Sequence, residues 1–103
     1  MSTKAPVVYI MASGKMGTIY IGSTSDLETR VKQHKAKIFK GFTSEYNVDK
    51  LVYYERFARL DNMVKRERQL KGWKRNWKIK LIIQQNPNWE CLYDKAFNDA
   101  EVI

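Results

Sequence analysis

Between Lys65 and Lys80 the chain sets eight basic side chains, Lys65, Arg66, Arg68, Lys71, Lys74, Arg75, Lys78 and Lys80, around a single acid, Glu67. Cations at that density repel one another unless solvent or a polyanion relieves them. The run is therefore either a solvated helix face or a surface built to contact phosphates, and the solitary acid within it favours phosphate contact. Glu67 falls four residues after Met63 and three before Leu70. That puts a carboxylate on an apolar helical stripe, where it needs a metal or an ion-pair partner such as a neighbouring arginine.

Other candidates lie upstream. Arg30 and His34 are four residues apart, which places them on one edge of a helix. Arg30 has Asp26, four residues earlier, as an alternative partner, and His34 on an apolar stripe also reads as a packed core histidine. Tyr9 and Tyr20 are the polar-tipped members of two apolar segments, able to lie in a core while still exposing their hydroxyls. Cys91 is the only cysteine, so an internal disulfide or a cysteine metal cage is excluded. That suits a reducing cytoplasm. The apolar run Val7 to Ala12 is too short for a signal peptide, and no stretch approaches the ~18 apolar residues of a membrane span. The net charge of +8 over 103 residues then points to nucleic acid rather than a membrane as the partner.

These groups need a scaffold, and the length allows one domain, expected as two packed layers. Val7–Ala12 and Thr18–Gly22 are β-branched and aromatic around Ser13-Gly14-Lys15-Met16-Gly17, a hairpin with a flexible tip. Ser25 and Glu28 form a capping-box pattern opening a helix with the stripe Leu27, Val31, His34 and Ile38. After a loop from Gly41 to Lys50, Leu51–Glu55 reads as a third strand. A second helix is expected from an Asp61 N-cap to Lys71, with Met63, Val64 and Leu70 apolar and Gly72 ending it. A third runs from Lys74 to Gln85 on Trp77, Leu81 and Ile82, stopped by Asn86-Pro87-Asn88. Leu92, Tyr93 and Phe97 then pack a tail on the body, where four acids and Lys95 reverse the charge balance.

With these elements in place, Val7-Val8-Tyr9 followed by Tyr20-Ile21-Gly22, eleven residues from tyrosine to tyrosine, resembles the signature of the GIY-YIG nuclease superfamily. The first half is degenerate and the second intact. Arg30 ten residues after Tyr20, Glu67 in a later helix and Asn76 beyond it match in order and context. Leu51-Val52-Tyr53-Tyr54-Glu55 and Arg66-Glu67-Arg68-Gln69-Leu70-Lys71-Gly72-Trp73 look like the compact, stand-alone bacterial branch. The resemblance covers about residues 7 to 90 and implies an α+β fold, a small three-stranded antiparallel sheet flanked by helices.

By that resemblance the chain is a metal-dependent endonuclease acting on nucleic acid, DNA first. Glu67 is the ligand of one Mg²⁺ or Mn²⁺, bound weakly until a phosphate oxygen and waters complete its shell. Arg30 grips the non-bridging oxygens through its guanidinium fork. Tyr9 and Tyr20 orient the attacking water, one of them taking its proton where a cationic or metal-water neighbour favours the phenolate. His34 is a second base or a proton shuttle, and Asn76 positions groups near the site. Ser23 follows Gly22 where some repair-type relatives carry a lysine, a charge that Lys32 or Lys35 could replace. The alternative is a nucleic-acid-binding module of the same fold with little or no turnover.

Overall fold

A computed structural model describes residues 5–37, 46–93 and 95. Six elements follow in the order β1 (Val7–Ala12), β2 (Ile19–Thr24), α1 (Leu27–Lys35), β3 (Lys50–Arg56), α2 (Leu60–Gly72) and α3 (Arg75–Gln85). The sheet is antiparallel throughout, in the order β2-β1-β3. It is the three-stranded α+β arrangement expected.

All six residues of β1 are buried, which accounts for its unbroken apolar composition. A half-covered strand alternates apolar and polar, whereas one covered on both faces does not. Val7, Tyr9 and Met11 pack with Leu27 and Val31 of α1 and with Val48 and Leu51. Val8, Ile10 and Ala12 pack on the opposite face with Met63 and Leu70 of α2, Ile79 and Ile82 of α3, and Trp89. The described residues thus form three layers rather than the two expected, because helices cover both faces of the sheet. The register between β1 and β3 shifts at Ile10/Met11, and Val52 and Tyr53 consequently both join the α2/α3 side.

Several local readings are corrected. Asp26, not Ser25, caps α1: its Oδ1 accepts from the Thr29 amide at 3.4 Å, and its own amide donates to Thr24 Oγ1 at 3.0 Å. Arg59, not Asp61, is the residue preceding α2, and Asp61 in the first turn accepts from the Arg59 guanidinium at 3.0 and 3.2 Å. In α3 the buried residues are Ile79 and Ile82, while Trp77 is 54% exposed. Val64 in α2 is likewise exposed.

The hairpin tip is held rather than loose. Ser13 N donates to Thr18 O at 2.9 Å, and Arg75 Nη2 donates to the Met16 and Gly17 carbonyls at 3.0 and 2.7 Å. Asn86 ends α3 and bridges it to β3, its Nδ2 donating to Val52 O and Glu90 O at 3.0 and 2.8 Å. Leu92 N donates to Leu51 O at 2.7 Å, and Leu92 and Tyr93 pack on the α1 side. Ile38, Phe97 and the first part of the expected loop, 41–45, lie outside the described residues.

Candidate active site

Gly22 stands opposite Tyr9 in the β1–β2 ladder, and the Tyr9 ring lies across it. A Cβ on Gly22 would sit 2.6 Å from the Tyr9 hydroxyl oxygen and 2.7 Å from Cζ, so only glycine permits this close approach. Tyr20, two residues earlier on the same face of β2, brings its ring centroid to 6.3 Å from that of Tyr9. His34 on α1 covers both, at 5.8 Å from Tyr9 and 5.4 Å from Tyr20. Tyr9 Oη and His34 Nε2 are hydrogen-bonded at 3.1 Å.

The two tyrosines differ in environment. Tyr9, on the central strand, is 1% exposed, which corrects the expectation that its hydroxyl reaches solvent. Its phenol is pushed well above the ordinary range, foremost by burial and then by the Tyr20 phenol, against the lowering effect of Arg30. Tyr20, on the edge strand, is only half-buried. His34 is held below the ordinary histidine range by burial and then by the Arg30 charge, so the imidazole is neutral at pH 7. The Arg30 charge also reaches the Tyr9 phenol and lowers it, against the effect of burial.

Glu67 approaches from the other side of the sheet. Because β2 is an edge strand, groups from its two faces are separated by one strand only. Ser23 Oγ donates to Glu67 Oε1 at 2.5 Å, and Lys71 Nζ lies 2.7 Å from Oε2. Burial pushes the Glu67 carboxyl up, but the bonds from Lys71 and Ser23 outweigh it and hold it below the ordinary carboxylate range. The carboxylate is therefore ionised at neutral pH, and its charge is felt at the Tyr9 phenol.

The structure thus brings Tyr9, Tyr20 and His34 together beside β2, with Glu67 bonded to Ser23 of the same strand and the charges of Arg30 and Glu67 felt at the Tyr9 phenol. Asn76 is exposed in the first turn of α3, and among the described residues no hydrogen bond joins it to this cluster. Sequence reasoning noted Ser23 only as a departure from a lysine and Lys71 only as one cation of the basic run, and missed that both bond Glu67. Lys71 follows Glu67 by four residues on one helix face, a spacing that signals an ion pair. Ser23 gave no signal beyond adjacency to Gly22. Neither Lys32 nor Lys35 replaces the charge: Lys32 pairs with Glu28 at 3.4 Å, and Lys35 turns to Asp49 O and Cys91 Sγ. The cation paired with the carboxylate that Ser23 bonds is Lys71.

The basic run divides. Arg66 is bidentate on Glu55, both bonds at 2.9 Å, with its guanidinium 5.2 Å over the Trp73 ring. Glu55 also accepts a short bond from the Tyr53 hydroxyl. Arg66 therefore ties α2 to β3, and its fork is occupied, contrary to its expected place on the phosphate-contacting surface. Arg75 holds the hairpin. Lys65, Arg68, Lys74 and Lys80 are exposed, and Lys78 is half-buried with its Nζ 3.5 Å from Lys71 O.

Residues 5–80 match the family described as the GIY-YIG catalytic domain. The chain belongs to the GIY-YIG family. A UPF0213 protein of Clostridium perfringens is 34% identical over 91 residues, covering 88% of this chain and 96% of that relative. A UPF0213 protein of Syntrophus aciditrophicus is 36% identical over 81 residues, covering 78% and 91%. The solution NMR structure of a UPF0213 protein from Bacillus halodurans matches with a TM-score of 0.54 at 25% identity, over 86% of this chain and 94% of that one. The GIY-YIG assignment places the chain in a nuclease superfamily. No helix among the described residues is long and apolar enough to cross a membrane.

Proposed function

We propose that this GIY-YIG protein is a divalent-metal-dependent endonuclease that hydrolyses DNA phosphodiester bonds. The observation that carries the reading is the meeting of the Tyr9–Tyr20–His34 ring cluster and the ionised Glu67 around one edge strand. Hydrolysis needs an oriented water, a proton acceptor and charge relief at phosphorus. Tyr20, the half-buried ring, meets the attacking water. His34, neutral and against Tyr20, accepts its proton in the tautomer that donates Nε2–H to the Tyr9 oxygen and carries its acceptor at Nδ1, while the buried Tyr9 phenol fixes the imidazole and stays protonated. Tyr9 is then a positioning residue. Arg30, whose charge reaches the Tyr9 phenol, grips the non-bridging oxygens of the scissile phosphate.

Glu67 and the Ser23 hydroxyl are hard oxygen donors, which fits one Mg²⁺ or Mn²⁺ completed by waters and a phosphate oxygen. Among the described residues no group of three or more His, Cys, Asp or Glu could hold a metal, so affinity depends on the phosphate. The metal, when bound, supplies charge neutralisation at the phosphate and leaving oxygen.

A binding module with little turnover is the second reading, favoured by the Ser23 and Lys71 bonds that already occupy both oxygens of Glu67. Plasmid nicking with Mg²⁺ or Mn²⁺, stopped by chelator, separates the two. Glu67→Gln keeps the Ser23 bond and loses only an ion pair to a half-exposed lysine, so stability changes by less than about 1 kcal/mol. Its nicking rate falls at least about a hundredfold with DNA affinity retained. A Glu67→Gln variant nicking at the wild-type rate ends the metal-ligand role. Wild type that binds DNA and never nicks any substrate supports the binding module.

A further inference from the structure

Trp77 is a bulky aromatic left 54% exposed on a helix whose other surface residues are mostly polar or basic, Ile83 apart. Its ring does not hang free. The Trp73 ring meets it edge-on, centroids 5.9 Å apart and planes at 81°, and Trp73 is in turn covered by the Arg66 guanidinium at 5.2 Å. Arg66 is locked on Glu55, so a chain of contacts from β3 fixes the plane of Trp77. Lys80, Leu81 and Gln84 follow Trp77 at three, four and seven residues, on one face of α3. With Trp73 and Trp77 they line an open cleft of about 260 Å³.

On the other side of α3, Lys71 and Lys78 line a second cleft of about 250 Å³ together with Ile19, Tyr20 and Ile21. This cleft shares Tyr20 with the proposed active site and Lys78 with the neighbourhood of Trp77. A basic track thus leads from the site across Lys71 and Lys78 to an aromatic face flanked by Lys74 and Lys80. Backbone-following cations beside a rigid aromatic ring are the two parts of a single-strand binding surface. The cations hold phosphates, and the ring stacks a base of any identity.

We propose that Trp77 is a stacking platform for an unpaired DNA base, with Lys80 and Gln84 at its rim, so that the substrate carries a single-stranded segment beside the scissile bond. This rests on the nucleic-acid reading above and narrows it from DNA in general to DNA with an unpaired segment. Continuous duplex keeps its bases stacked on each other and offers none to the indole. The net charge of +8 argues for the polyanion as occupant of this face.

The test compares a short single-stranded oligothymidylate with a duplex of equal length, by anisotropy titration and by tryptophan emission. Trp77→Ala should weaken single-strand binding by about ten- to a hundredfold, while duplex binding shifts by less than about threefold. Trp77→Phe should retain most single-strand affinity and lose the emission quench, since the buried Trp89 and the covered Trp73 remain. Thermal melts check that both variants fold, and Trp77→Phe keeps the test open if the alanine variant does not. Unchanged single-strand affinity in Trp77→Ala, or equal losses for single strand and duplex, overturns the platform. Wild type that binds duplex and not single strand overturns it while sparing the nuclease reading. Wild type that binds neither removes both.

Discussion

Replacing Gly22 with alanine tests whether the site depends on the Tyr9 ring lying against bare backbone. The added Cβ falls 2.6 Å from the hydroxyl oxygen and 2.7 Å from Cζ, with a Tyr20 ring carbon at 3.1 Å. Tyr9 cannot yield cheaply, because it is 1% exposed and bonded to His34. Overpacking of this kind costs about 1–3 kcal/mol. Displacing the phenol from the imidazole adds roughly 1 kcal/mol. Against this, alanine lowers the entropy of the unfolded chain, which contributes about 0.4–1 kcal/mol of stability. The net is a loss of about 2 kcal/mol, or a fall in Tm of roughly 8–16 °C for a chain this size. Thermal melts of Gly22→Ala, Tyr9→Leu and the double variant measure it, because leucine vacates the space the methyl needs. The alanine penalty should shrink clearly in the Tyr9→Leu background. A Gly22→Ala protein melting within about 2 °C of wild type refutes the close-approach argument, taken against the usual per-kcal shift.

Lys71→Met removes the cation bonded to Glu67 Oε2 and frees that oxygen, so Mn²⁺ binding in the absence of DNA should tighten by up to about fivefold. Calorimetric titration reads this, and a weaker metal site contradicts it. His34 has its folded pKa below its unfolded one, so the unfolded state binds the extra proton first as pH falls. Stability should drop on acidification from about pH 6.5 down to the lowered folded pKa, and melts of His34→Gln should lose that part of the dependence. Changing Lys74, Lys78 and Lys80 together to glutamine should flatten the salt slope of DNA binding by up to about three units in gel-shift titrations. Arg75 is left intact in that variant because its loss would release the hairpin tip.

Much of the frame was legible because strand propensity and helical spacing are local properties. Both halves of the hairpin, the third strand and the three helices stand where the β-branched runs and apolar stripes put them. Most of what failed depended on partners distant in sequence. Trp77 matches a helical stripe with Leu81, yet the face of α3 that meets the sheet is the one bearing Ile79 and Ile82. Arg66 reads as one more cation in a run, and only the return of β3 beside α2 supplies Glu55. Ser25 and Asp26 are equally good caps by type, and the Thr24 hydroxyl bonded to the Asp26 amide decides between them. At the site, residue types and order located the tyrosines, Arg30, His34 and Glu67, whereas Ser23 became visible only once α2 crossed β2.

Strand order also divides work between two residues that the sequence presents as equivalents. Tyr9 and Tyr20 occupy matching places in paired segments, and spacing alone cannot rank them. The order β2-β1-β3 puts Tyr9 on the strand covered by helices on both faces and Tyr20 on an edge. Burial then raises the Tyr9 phenol beyond use as a base at neutral pH and keeps it hydrogen-bonded to the imidazole. The same burial, with Arg30 nearby, keeps that imidazole neutral, the form that the proposed mechanism needs. The exposed edge leaves Tyr20 facing the cleft shared with Lys71 and Lys78, where a phosphate would arrive. One central and one edge strand thus convert a repeated residue type into an anchor and a contact.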